Sequence, residues 1–164
     1  MTDIDEPPDL PGLTGLFEAL GAEDASGWAE SEAEENLPQL ARFRFLRMVW
    51  QDIDAWSAAA PGWVEAYREH GPAAGAVGRA LRLGLTPDEL GEIAREIAKD
   101  TAFGLLQGLA GPADGDLPPG TEARLPGWRL AELSPQGRPT GRVLDALHED
   151  LDEVEPQGPS GGIA

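Results

Sequence analysis

The sequence predicts a mainly α fold: a helical domain with a small C-terminal β-hairpin or single strand, and acidic mobile ends. Three observations carry that reading. Apolar residues recur at helical spacing from Leu40 onward, Thr86-Pro87-Asp88-Glu89 is a helix-start signal, and Trp128 to Leu133 is a short extended stretch ahead of a turn.

The elements follow in chain order. Residues 1–12 combine three prolines with four carboxylates and are expected to form a mobile acidic tail. Leu13 to Leu20 is apolar enough for a docked turn or two of helix. Residues 21–36 turn polar again, with Trp28 as a lone anchor. Pro38 suits the first turn of a helix. Behind it Leu40, Phe43, Leu46, Trp50 and Ile53 make one stripe, widened by Val49 and Trp56, in a central helix reaching about Ala59. Pro61 breaks that helix and opens another, in which Trp63 and Tyr67 stand four apart on one face. Six of the ten aromatic residues fall between Phe43 and Tyr67, so the core is expected there. Gly71-Pro72 interrupts the chain again, and the Ala-rich residues 73–83 fit a small, closely packed helix.

Thr86 can cap the next helix, Pro87 fits its first position, and Glu89 can close a capping box back onto Thr86. Asp88 and Glu89 lie where the helix dipole favours negative charge. Leu90, Ile93, Ile97, Thr101 and Leu105 are the expected buried stripe, and Ala110-Gly111-Pro112 is the stop. Residues 111–127 are a Pro/Gly-rich loop. Residues 128–133 read as a strand, Ser134 to Arg138 as a turn, and residues 139–143 as the partner strand. A last helix is expected over 143–154, with Leu144, Leu147, Leu151 and Val154 on its apolar face. Residues 155–164 complete the chain as a flexible tail, which leaves 13–154 as a single helical domain.

Bulk properties limit the function. At 164 residues, folding hides about 70% of the unfolded surface, so a real core needs no staples. With no cysteine there is no disulfide, thiolate metal site or cysteine nucleophile. The start, MTDIDEPPDLPG, has neither the positive nor the apolar region of a secretory signal, and no apolar run approaches the roughly 20 residues that cross a bilayer. The expected location is the cytoplasm. The net charge of −18 sits at the two ends. Residues 1–41 hold 11 acids and no Lys or Arg, residues 42–142 hold 13 acids against 12 bases, and residues 143–164 hold 6 acids and no base. Such a chain repels nucleic acid and anionic membrane, and attracts a basic protein surface.

The stretch Leu147-His148-Glu149-Asp150 offers the sharpest chemical alternative. On a helix, Asp145 and His148 stand three apart with Glu149 beside them, as in metal-binding carboxylate bundles. Such bundles need acids from other helices. Asp52 and Asp54 cannot share a face, and Glu65 and Glu69 stand beside the other histidine, His70. A boundary histidine on an amphipathic helix is the reading adopted, with no metal, no cofactor and no catalytic residue assigned. A small enzyme or metal-binding bundle using His148, His70 and carboxylates is the rival. A scaffold whose acidity serves only solubility is the third possibility. Ser57 and Ser134 lie in no nucleophile elbow, and no phosphate-binding glycine loop occurs. Lys99 is expected on a solvated face with Arg95 and Glu96. Arg42, Arg44 and Arg47 find their best partners among this chain's own carboxylates.

The segment WRLAELSPQGRPTGRVLDALHEDL, with a helical body before it, resembles small uncharacterised bacterial proteins and acidic immunity proteins that neutralise toxins. That resemblance covers roughly the last third of the chain and implies a cytosolic protein partner without catalysis. The expected function is therefore a non-catalytic, protein-binding one, in the manner of an immunity protein or antitoxin. The expected partner is a basic protein, met by Asp145, Glu149, Asp152 and Glu153 on one exposed side of the last helix.

Overall fold

The computed structural model describes residues 9–111, 118, 121 and 124–156. Among them are six helices: α1 (Leu10–Leu20), α2 (Ala25–Glu35), α3 (Gln39–Ala58), α4 (Ala60–Glu69), α5 (Ala74–Arg82) and α6 (Pro87–Ala110). Two antiparallel strands follow, β1 (Leu130–Leu133) and β2 (Pro139–Leu144). The fold is mainly α with a C-terminal hairpin, as the sequence predicts. Its described residues divide into two compact units, one made of those within 9–47 and 106–156 and the other of 48–105.

The first unit begins with two capped helices. Asp9 accepts from the Gly12 amide at 3.1 Å, so α1 starts at Leu10, inside the segment expected as a tail. Residues 1–8 lie outside the described residues. Gly21, at φ 85°, closes α1: its amide donates to the Glu18 carbonyl, and the Ala22 amide donates to that of Phe17. Asp24 then caps α2 by accepting from the Gly27 amide at 2.9 Å. Residues 25–35, expected as a polar stretch around Trp28, are thus a helix, and Ala25, Ala29 and Glu32 are its buried positions. Phe17 stacks on Trp28 with ring centroids 6.1 Å apart, and Phe43 meets both rings edge-on. Leu46, Leu106, Leu147, Leu151 and Val154 are also buried in this unit.

The hairpin is tied to this helical body by charge. Leu130 pairs with Leu144 and Ala131 with Val143, but Leu133 pairs with Pro139, so β2 bulges. Gly141 sits in the bulge at φ 87°, a conformation that suits glycine. The Ser134–Gly137 turn is closed by the Gly137 amide donating to the Ser134 carbonyl at 2.8 Å. From β2, the Arg142 guanidinium forks onto both oxygens of Glu132, each at 2.7 Å. It also reaches Glu32 at 3.0 Å and the Leu37 carbonyl at 3.1 Å. Both carboxylates are buried, 8% exposed at Glu32 and 9% at Glu132. Glu32 uses its other oxygen to accept from the Leu40 amide at the start of α3, one of the donors a helix leaves unpaired. Burial lowers the Arg142 pKa, but bonds and charge from Glu132 and Glu32 outweigh it, so the guanidinium is held above its ordinary value.

The second unit is built around Trp50 and Ile53, which are buried with Ala60 and Val64. Trp56, Trp63 and Tyr67 form an edge-to-face run at 5.6 and 5.7 Å, and the Trp63 indole donates to the Trp56 carbonyl. Trp56 and Tyr67 remain exposed, so the aromatic stretch is only partly core. At the head of α6 the capping box forms: the Glu89 amide donates to Thr86 Oγ1 at 3.2 Å and the Thr86 amide to Glu89 Oε2 at 2.7 Å.

The expected buried stripe of α6 is not the buried one. Ile93, Ile97 and Leu105 are 51%, 61% and 67% exposed, whereas Gly91 is buried and Ala94 and Ala98 are half-buried. Small residues let this face come close: a Cβ at Gly91 would stand 2.5 Å from that of Ala60. Lys99 is not on a solvated face either. Its Nζ lies 5.3 Å from the centre of the Trp50 ring, and the Arg95 guanidinium lies 5.1 Å away.

Candidate functional site

The four acids singled out from sequence lie on the first unit, but not on a helix. Leu144 belongs to β2, and residues 145–154 run as successive turns. The cause is local. Ala146 adopts φ 51°, in the left-handed region that side-chain-bearing residues avoid, so a helix cannot continue from the strand. The amide of Glu149 donates to the Ala146 carbonyl at 2.9 Å, and that of Val154 to the Asp150 carbonyl at 3.2 Å. Leu144, Leu147, Leu151 and Val154 are nevertheless all buried. The apolar spacing was a sound guide to burial and a poor one to helix.

Arg42 holds these turns in place. Its Nε donates to Asp150 at 2.9 Å, a second nitrogen donates to the same carboxylate, and a third reaches the Asp145 carbonyl. The pair is largely shielded, with 13% and 20% of the side chains exposed. This matches the expectation that Arg42 finds its partner within the chain, whereas Arg44 and Arg47 are exposed.

Asp145, Glu149, Asp152 and Glu153 all remain exposed. The Asp145 carboxylate accepts from the Ala146 amide at 2.9 Å, which supports the strained turn. Glu153 has a further neighbourhood that sequence could not place. With Glu23, Asp24, Trp28, Phe43 and Val154 it lines an open cleft of about 240 Å³. Glu23 and Asp24 come from the α1–α2 connection, some 130 residues earlier in the chain. The cleft therefore joins three carboxylates to an aromatic wall, and among the described residues that line it there is no base. A cationic side chain suits that chemistry, because ring faces and carboxylates both attract it.

The rival metal reading gains no geometry. His148 is half-buried in the first unit, and His70 in the second is exposed, 4.0 Å from Glu69. Among the described residues no three His, Asp or Glu side chains converge on a point that could hold a metal ion. Ser57 donates to the Asp54 carbonyl and Ser134 accepts from the Arg138 amide, so both hydroxyls serve local turns. No described helix is long and apolar enough to cross a membrane. Comparison with protein-family models, curated proteins and solved structures finds no match for this chain.

Proposed function

We propose that this protein is a non-catalytic, cytoplasmic binding domain that neutralises a basic protein partner through an acidic surface, in the manner of an immunity protein or antitoxin. The observation that carries the reading is the cleft in which Glu153 meets Glu23 and Asp24 beside Trp28. The exposed Asp145, Glu149 and Asp152 extend the same negative charge along the 145–154 turns. An exposed Lys or Arg of the partner enters the cleft, and the surrounding carboxylates steer its approach. Burial of the cation against the indole supplies specificity that long-range charge alone lacks.

The test is capture from the native host with the whole chain as bait, followed by Asp145→Lys, Glu149→Lys, Asp152→Lys and Glu153→Lys combined. Loss of the captured partner, with the fold intact by circular dichroism, supports the reading. Equal capture by the reversed variant places the interface elsewhere and reduces these acids to a solubilising surface.

A further inference from the structure

Helix α6 carries an exposed apolar ridge. Residues four apart form a continuous row on a helix surface. One such row runs Glu89, Ile93, Ile97, Thr101, Leu105, and its three large apolar members are more than half exposed. The next row runs Glu92, Glu96, Asp100, Gly104, and every member is exposed. A line of apolar side chains about 18 Å long from Ile93 to Leu105 is thus edged by three carboxylates in its first half. In its second half the edge is Gly104, and the position a Cβ would take there is open space.

The helix's two cations, Arg95 and Lys99, offset the charge of these three acids only in part. Arg95 and Lys99 both lie against the Trp50 ring, and Arg95 also donates to Asp54 at 2.8 Å. Among the described residues, Arg95 pairs with Glu96 on the acidic row at 3.3 Å, largely exposed on the Glu96 side. Both ends of the required match are thereby specified: apolar side chains along the centre, and positive charge along one side.

We propose that this face of α6 docks an amphipathic helix of a partner protein, whose apolar stripe is flanked on one side by Lys and Arg. A second copy of this chain fits poorly. It brings its own net charge of −18, and an antiparallel pairing centred on Thr101 sets the two Asp100 carboxylates near each other. The inference shares with the proposed function the basic character of the partner. It uses a different surface, so the two can fail separately.

The experiment uses the full chain and three synthetic helical peptides read by fluorescence anisotropy. The first has Leu at i, i+4, i+7 and i+11 with Lys and Arg along one flank. The second is a scramble of the same composition, and the third replaces the basic flank with Glu. The first peptide is expected to bind at least about tenfold more tightly than either control. Ile97→Ser with Leu105→Ser leaves the charge unaltered and is expected to weaken binding at least about tenfold, since anchor side chains dominate such contacts. Glu92→Gln, Glu96→Gln and Asp100→Gln together are expected to weaken it severalfold, and more at low salt. The fourfold reversal at Asp145, Glu149, Asp152 and Glu153 leaves the advantage of the first peptide over its scramble intact, whether or not those acids serve a partner. No binding of the first peptide, equal binding of the scramble, or indifference to the Ile97 and Leu105 changes overturns the proposal. So does a dimer in sedimentation that dissociates on the same double substitution, because the face is then occupied by a second copy.

Discussion

Removal of the Arg142 charge tests the fold at the point where the hairpin joins the helices. Arg142→Met keeps an apolar stem of similar length and deletes the fork onto Glu132, the bond to Glu32 and the bond to the Leu37 carbonyl. Two carboxylates that are 8% and 9% exposed then lose their counter-charge. Removing one member of a buried ion pair costs about 3–5 kcal/mol, because the remaining charge stays desolvated. Against a typical total of about 5–15 kcal/mol, that is a large share. In urea, with a slope of about 2 kcal/mol per molar, the midpoint falls by about 2 M. Glu32→Gln and Glu132→Gln added to Arg142→Met are expected to recover much of the loss, since neutral amides remove the orphaned charge. A loss below about 1 kcal/mol refutes the reasoning, because that is the size of a solvent-screened surface pair.

Thr86→Ala removes the α6 cap and is expected to cost about 1 kcal/mol, whereas Ile97→Ala, at an exposed site, is expected to cost less than about 0.5 kcal/mol. A larger loss at Ile97 in denaturant melts places that side chain in the core. Gly91→Ala improves helix propensity, yet its Cβ meets that of Ala60 at 2.5 Å and the Ser57 Cα at 3.1 Å, so a net loss of about 1–3 kcal/mol is expected. A stabilised variant would show that the two segments separate at little cost. The Thr86 backbone bond, then its hydroxyl, hold the Glu89 pKa below its ordinary value. The contribution of Glu89 is therefore present above its unfolded pKa and lost as pH falls through the lower folded one. Glu89→Gln is expected to flatten the acid limb of a thermal-melt pH series, and an unchanged limb contradicts this.

Much of the helical body was legible because its signals are local. The Thr86–Glu89 box, Pro61 at the head of α4 and the stripe from Phe43 to Ile53 each rest on residues within a turn or two of one another. The hairpin was legible from its Ser-Pro-Gln-Gly turn. Helix α2 escaped notice because its buried positions are two alanines and a glutamate, which hydrophobic periodicity does not register. The buried face of α6 was misassigned for a related reason: glycine and alanine pack there by close approach, and Ile93, Ile97 and Leu105 face outward. The 145–154 turns kept their apolar spacing but not their helix, since the left-handed Ala146 carries no composition signal. As for the candidate site, the C-terminal acids could be read directly. Their meeting with Glu23, Asp24 and Trp28 is tertiary, and no pattern along the chain encodes it.

The most direct test of the acidic binding surface is the association rate of a captured basic partner as ionic strength rises. Attraction between exposed charges is screened beyond about 10 Å at 0.1 M salt and about 3 Å at 1 M. Stopped-flow association with the native protein is expected to slow by about tenfold or more across that range. The variant reversed at Asp145, Glu149, Asp152 and Glu153 is expected to associate slowly at low salt, with a flatter dependence. Equal rates and equal salt dependence for the two proteins would contradict the account.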